Sequence, residues 1–182
     1  AVEGRLVPNS ITPNYLATEV ATKERSTLNI YRIKSNGATK HAAIPLAGPL
    51  QGWQCAQGND LYISFRPRTT KDPATRDQGT IARIDMSSGK IAATTSWNRV
   101  TWSNAMFAWN DRLIFLNDMA HAKSPLSMYS ARTLKPMGPP VWNQLHLPTS
   151  AYDAPMSVPY VDGRLFFRGM KRLVCYDIRR KP

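Results

Sequence analysis

Three histidines, His41, His121 and His146, and two cysteines, Cys55 and Cys175, are the side chains best suited to catalysis or metal binding in this 182-residue chain. A metal shell or a general base needs partners held at bonding distance, and the histidines show no paired spacing. Asp118 and His121 share a D-x-x-H interval in a loop that follows the apolar run 113–116. One such pair fills too few positions of a metal shell, so both read as solvated loop residues. Cys175 lies in an apolar run and is expected to pack as a small buried hydrophobe. A disulfide to Cys55 requires the two to meet across the fold within tight distance limits. The chain has no C-x-x-C-H, no G-x-S-x-G elbow and no phosphate loop. No catalytic residue, metal ligand or cofactor-binding residue is assigned.

Charge is the stronger signal. The chain carries 24 Lys+Arg against 12 Asp+Glu, a formal +12. Residues 164–182 hold seven of those cations and one acid, a net +6. A second basic stretch holds Arg66, Arg68, Lys71 and Arg76. A positive surface attracts acidic protein, anionic lipid headgroups or nucleic acid. No recognition helix, zinc finger or aromatic RNA-binding motif accompanies the charge, which places nucleic acid last. Docking onto acidic protein subunits comes first, and peripheral contact with an anionic membrane surface stays open.

The elements that must hold these residues repeat. A turn followed by a short apolar strand recurs at Leu6, Leu61, Leu113 and Leu165, spaced by 55, 52 and 52 residues. A second series, LNIYRI at 28–33, IARID at 81–85, MYSA at 128–131 and LVCYD at 173–177, lies between them. Further strand signals precede the first series at 53–56, 105–109 and 156–161. Trp97 and Trp142 close two of the repeats, where a large ring is expected to pack between sheets rather than stack on a ligand. Trp102 and Trp109 are less constrained. Four short strands per period without a 3.6-residue stripe predict an all-β propeller of four-stranded antiparallel blades, in preference to a β-sandwich.

Asn59-Asp60-Leu61-Tyr62-Ile63, then Ile81-Ala82-Arg83-Ile84-Asp85-Met86-Ser87-Ser88-Gly89-Lys90, then Trp97, resembles the PQQ-like (quinoprotein-type) propeller repeat. Gly163-Arg164-Leu165-Phe166-Phe167-Arg168 and Leu173-Val174-Cys175-Tyr176-Asp177 resemble the last blade of such bacterial propellers. The resemblance covers most of residues 50–182 and implies a periplasmic or extracellular location. Quinone-binding members use an adjacent cysteine pair, which this chain lacks. The third repeat departs from the pattern, with Arg132 at the aspartate position and Pro136 where glycine is expected.

Aligned on that repeat, residues 1–46 form a partial blade without its first strand, 50–97 and 102–142 form blades, and 154–178 form a second partial blade. A basic tail follows at 179–182. The total is about 3.5 blades against ~4–8 in closed rings. Half of a seven- or eight-bladed ring is favoured over a closed four-bladed one, because open strand edges must pair with something. Long insertions are expected at 8–27, 66–79 and 117–126, and insertions on a repeat scaffold carry function. The partner-binding residues are therefore Arg66, Arg68, Lys71 and Arg76, then His121 and Lys123. Arg164, Arg168, Lys171 and Arg172 extend the surface. The chain reads as a non-catalytic accessory subunit docking onto an acidic partner. The alternative is a fragment of a secreted propeller enzyme, quinoprotein dehydrogenase-like or polysaccharide-active, in which Asp118, His121, Arg66 and Arg68 would act.

Overall fold

The computed structural model describes residues 2–22, 25–52, 54–66, 78–97, 105–116, 126–137, 160–161, 164–168 and 173–177. Among these residues there are fourteen strands and no helix, arranged as four successive antiparallel sheets. Sheet 1 contains β1 (Arg5–Leu6), β2 (Tyr15–Ala21), β3 (Ser26–Lys34) and β4 (Gly37–Leu46), in that order. Sheet 2 contains β5 (Cys55–Gln57), β6 (Asp60–Phe65), β7 (Gly79–Asp85) and β8 (Lys90–Trp97). Sheet 3 is β9 (Ala105–Trp109), β10 (Arg112–Leu116) and β11 (Leu126–Ser130). Sheet 4 is β12 (Tyr160–Val161), β13 (Arg164–Arg168) and β14 (Leu173–Asp177).

Period-2 alternation explains how the sheets stack. Leu61, Ile63 and Phe65 of β6 join Ala82 and Ile84 of β7 in one core cluster with Ala17, Leu28 and Ile30 of sheet 1. Tyr62 and Ile81 point the other way, into a second cluster with Met106, Leu113 and Phe115 of sheet 3. Sheet 2 is thus covered on both faces, and its strands read as near-continuous apolar runs. β5 lies beside β9 and β4 beside β8, so strands of equal rank are neighbours. That is the face-to-face blade packing of a propeller.

Sheets 1 and 2 share a further device. The β3–β4 register shifts between Ile30, opposite Ala42, and Tyr31, opposite Lys40, leaving His41 as the extra residue. The β7–β8 register shifts between Arg83, opposite Ala93, and Ile84, opposite Ile91, leaving Ala92. The same bulge bends the outermost strand of both sheets, and it makes Ala42 and Ala93 equivalent.

Three sequence expectations change. Sheet 1 is not missing its first strand: β1 supplies it, pairing Arg5 with Glu19 and Leu6 with Thr18. The expected insertion 8–27 contains β2, whose apolar alternation is interrupted by Glu19. Leu6 accordingly does not belong with Leu61 and Leu113; it is 48% exposed, whereas they are 0% exposed. In sheet 3 the turn register moves by two residues. Ser130, not Arg132, stands opposite the start of its neighbouring strand as Asp85 and Asp177 do. Leu134, at φ 55°, then occupies the place of Gly89, at φ 67°. A left-handed leucine costs about 1–2 kcal/mol, but Leu134 is buried in the second core cluster, and losing a buried leucine costs more, ~2–5 kcal/mol. Finally, Cys175 is exposed, not buried; it lies opposite Phe166 on a strand that has no further neighbour among the described residues.

Candidate functional site

Antiparallel order sorts the connections into two ends of the stack. The β1–β2, β3–β4, β5–β6, β7–β8 and β9–β10 connections fall at one, the turn end. The β2–β3, β4–β5, β6–β7 and β8–β9 connections fall at the other, the linker end.

At the linker end, polar side chains missed in the sequence hold sheet 1 to sheet 2. Glu19, 3% exposed, receives the Leu50 backbone N–H at 2.8 Å and the Ser26 hydroxyl at 2.7 Å on Oε1, and Arg5 at 2.8 Å on Oε2. Leu50 bridges to Phe65, so this carboxylate anchors the link between two sheets. Gln54 is also buried; its Oε1 accepts from the Ser64 N–H at 2.9 Å, and its Nε2 donates to the Gln51 carbonyl at 2.7 Å. A buried polar group is tolerable only when bonded in this way. Asn29 Oδ1 and Arg83 Nε are the buried side-chain atoms without a partner among the described residues.

At the turn end, the motif Asp85 to Gly89 forms a compact loop. Asp85 Oδ1 accepts from the Ser87 N–H at 2.9 Å and the Ser87 hydroxyl at 2.6 Å. Those bonds, with Ser88's, hold the Asp85 carboxyl down at about 2. The Gly89 N–H donates to the Asp85 carbonyl at 2.9 Å. The loop then docks on the sheet 1 bulge, where His41 Nε2 donates to the Ser87 carbonyl at 2.9 Å. A Cβ on Gly89 would stand 2.4 Å from the Ala42 Cβ. In sheet 3 the corresponding Leu134 belongs to the cluster against which Ala93 packs. An alanine on each bulge thus receives the turn of the following sheet.

Cys55 faces sheet 3, where burial pushes its thiol up to about 12, partly offset by a backbone hydrogen bond at Ala108. The thiolate is the reactive form. Alkylation of the folded protein should therefore label Cys175 before Cys55, as peptide mapping of partially modified protein would show; equal labelling would contradict the packing of sheets 2 and 3.

The predicted contact residues are only partly placed. Arg66 leaves β6 half-buried, its N–H bonded to the Pro49 carbonyl at 3.3 Å. Arg164 Nε lies 3.8 Å from Asp177 Oδ2 across β13 and β14, and Arg168 stands opposite Leu173. Arg68, Lys71, Arg76, Asp118, His121, Lys123, His146, Lys171 and Arg172 lie outside the described residues, as do Trp53, Trp102, Trp142 and the Trp97 side chain. Trp109 is half-buried with the Arg112 guanidinium 5.9 Å from its ring centroid. Among the described residues, no three His, Cys, Asp or Glu side chains converge as a metal site, and no helix is long and apolar enough to cross a membrane.

Among the described residues, four of the cations without an ion pair lie at the turn end. Lys34, Lys90, Arg132 and Lys135 are exposed on or beside the β3–β4, β7–β8 and post-β11 turns. Their signal was present in the sequence, since each lies in or against a turn cluster: KSNG, SSGK and ARTLKP. What the sequence did not disclose is which cations the acids neutralise.

No protein-family model matches the chain, and no curated protein matches it in sequence. Solved structures do resemble it in fold. BamB from Moraxella catarrhalis aligns at TM-score 0.55 and 13% identity, over 95% of this chain and 49% of its own. An uncharacterized protein from Listeria monocytogenes aligns at TM-score 0.56 and 11% identity, over 99% of this chain and 54% of its own. The chain therefore spans about half the length of these structures. With its antiparallel sheets of three and four described strands it is a partial β-propeller.

Proposed function

We propose that this chain is part of a PQQ-like propeller that acts as a protein-docking scaffold, an accessory subunit rather than an enzyme, in the periplasm or outside the cell. The observation that carries this reading is how polar groups are used. Glu19, Gln54, Asp60 and Asp85 are engaged within or between sheets, whereas exposed cations such as Lys34, Lys90, Arg132 and Lys135 have no ion pair among the described residues. Catalysis needs convergent polar groups in a cavity; docking needs an exposed face with a preferred sign.

The blades are assigned to residues 1–46, 50–97, 102–142 and 154–178, with 179–182 as a tail. The linker end, where Arg66, Arg68, Lys71, Arg76, His121 and Lys123 fall in sequence, takes an acidic protein surface, with Arg168, Lys171 and Arg172 extending it and Arg164 at the opposite end of β13 adding to the basic edge. The experiment is to isolate the protein with its partner from its natural source and titrate salt. The complex should dissociate as ionic strength rises toward ~0.5 M, because exposed charges are screened over about 10 Å at 0.1 M. Reversing Arg68, Lys71 and Arg76 to Glu should weaken it at low salt. A complex indifferent to both would overturn the reading.

A further inference from the structure

Among the described residues, some cations are neutralised by acids and others are not. Five described cations are matched with acids: Arg5 with Glu19, Lys40 with Glu3, Arg83 with Asp60, Arg112 with Asp111, and Arg164 with Asp177. Among the described residues, Arg25, Arg32, Lys34, Lys90, Arg132 and Lys135 have no ion pair; the last four are exposed at the turn end, and three consecutive sheets each contribute at least one. Of the acids at this end, Asp60 and Asp111 are engaged by Arg83 and Arg112, and Asp85 directs its Oδ1 at the N–H and hydroxyl groups of its own loop. Two large aliphatic side chains are exposed at the same end. Ile11, in the β1–β2 connection, is 61% exposed, and Ile91, next to Lys90, is 41% exposed.

We propose that the turn end is a docking face for an anionic membrane surface. This surface is distinct from the linker-end contact with protein and does not depend on it. The unpaired cations diverge, one or two per sheet, along sheets stacked about 10 Å apart. They do not surround a pocket, so a short acidic peptide meets them one at a time. A continuous negative plane meets all of them together. The exposed isoleucines favour lipid over nucleic acid, since only the bilayer offers an apolar layer beneath its charges. A propeller lying flat on its turn end leaves its linker end free for the partner proposed above.

The test is co-sedimentation of the 182-residue chain with vesicles of phosphatidylcholine containing about 30% phosphatidylglycerol, and with phosphatidylcholine alone, at ~0.1 M salt. A cation near an anionic bilayer is worth about fivefold in partitioning, so four together are worth several hundredfold. The variant K34Q/K90Q/R132Q/K135Q should lose at least about a hundredfold in binding to the anionic vesicles. The control R68Q/K71Q/R76Q/K123Q removes the same charge from the linker-end segments and should keep most of the binding. The turn-end substitutions are at exposed side chains, so both variants should keep the circular dichroism of the parent. Absence of binding to anionic vesicles overturns the proposal, as does equal binding to neutral ones. An equal loss in both variants overturns it too, since net charge rather than the turn end would then govern attraction. Loss of the protein complex in the control alone, with vesicle binding kept, separates this surface from the linker-end one.

Discussion

Gly89→Ala is expected to destabilise the protein by about 2–5 kcal/mol. Two costs combine: an L-residue in the left-handed region costs roughly 1–2 kcal/mol, and forcing a methyl into a filled contact costs about 1–3 more. Gly89 has φ 67°, and the added Cβ would stand 2.4 Å from the Ala42 Cβ, so a sheet must shift. Gly58 separates the two costs. Its φ of 61° is nearly the same, but nothing lies within 4 Å of an added Cβ, so Gly58→Ala should show only the conformational cost of about 1–2 kcal/mol. Removing the Ala42 methyl should return part of the loss, and the cycle Gly89→Ala, Ala42→Gly measures that coupling. Urea unfolding midpoints would report all four proteins. If Gly89→Ala and Gly58→Ala cost the same, the turn of sheet 2 does not seat on the bulge of sheet 1.

Glu19→Ala should cost about 2–5 kcal/mol, because it strands two buried donors, the Leu50 N–H and the Ser26 hydroxyl, at roughly 1–3 kcal/mol each. Its third partner, Arg5, has a side chain 75% exposed. The guanidinium can return to water, and an exposed pair of this kind contributes only about 0–1 kcal/mol. Glu19→Gln keeps an oxygen at the position of Oε1 and should therefore cost no more than about 1 kcal/mol. Hydrogen exchange at Leu50 adds a local readout: protection should fall in the alanine variant and survive in the glutamine one. Equal destabilisation by the two substitutions would move the weight from the link between sheets to the ion pair.

These two sites mark where the sequence was legible and where it was not. The Asp85 to Gly89 turn was visible as a motif, because turn chemistry is local and glycine marks a left-handed backbone directly. Its contact with Ala42 was not visible, since the two residues are on different sheets and Ala42 follows a bulge that no composition signal announces. Glu19 was concealed for the opposite reason. A carboxylate inside Tyr15–Ala21 argues against a buried strand until its three donors are known, and they come from positions 5, 26 and 50. With β2 overlooked, Leu6 took the place of a core leucine and the first sheet lacked a strand.

By itself the sequence determined the all-β character, the strand-by-strand repeat and several strand limits, including residues 105–109, which form β9. Alternation of side chains is a property of neighbouring residues, so it can be read without the fold. The tertiary structure alone decided which charges are neutralised and which remain free. Whether a lysine or arginine meets an acid depends on strand register and on stacking between sheets. Arg83 meets Asp60 across a strand pair, while Lys34 and Lys90, on turns of the same two-sheet unit, meet none. The chain's surplus of positive charge was therefore known from composition, and which described cations stay unpaired, Lys34 and Lys90 among them, only from the way the sheets pair.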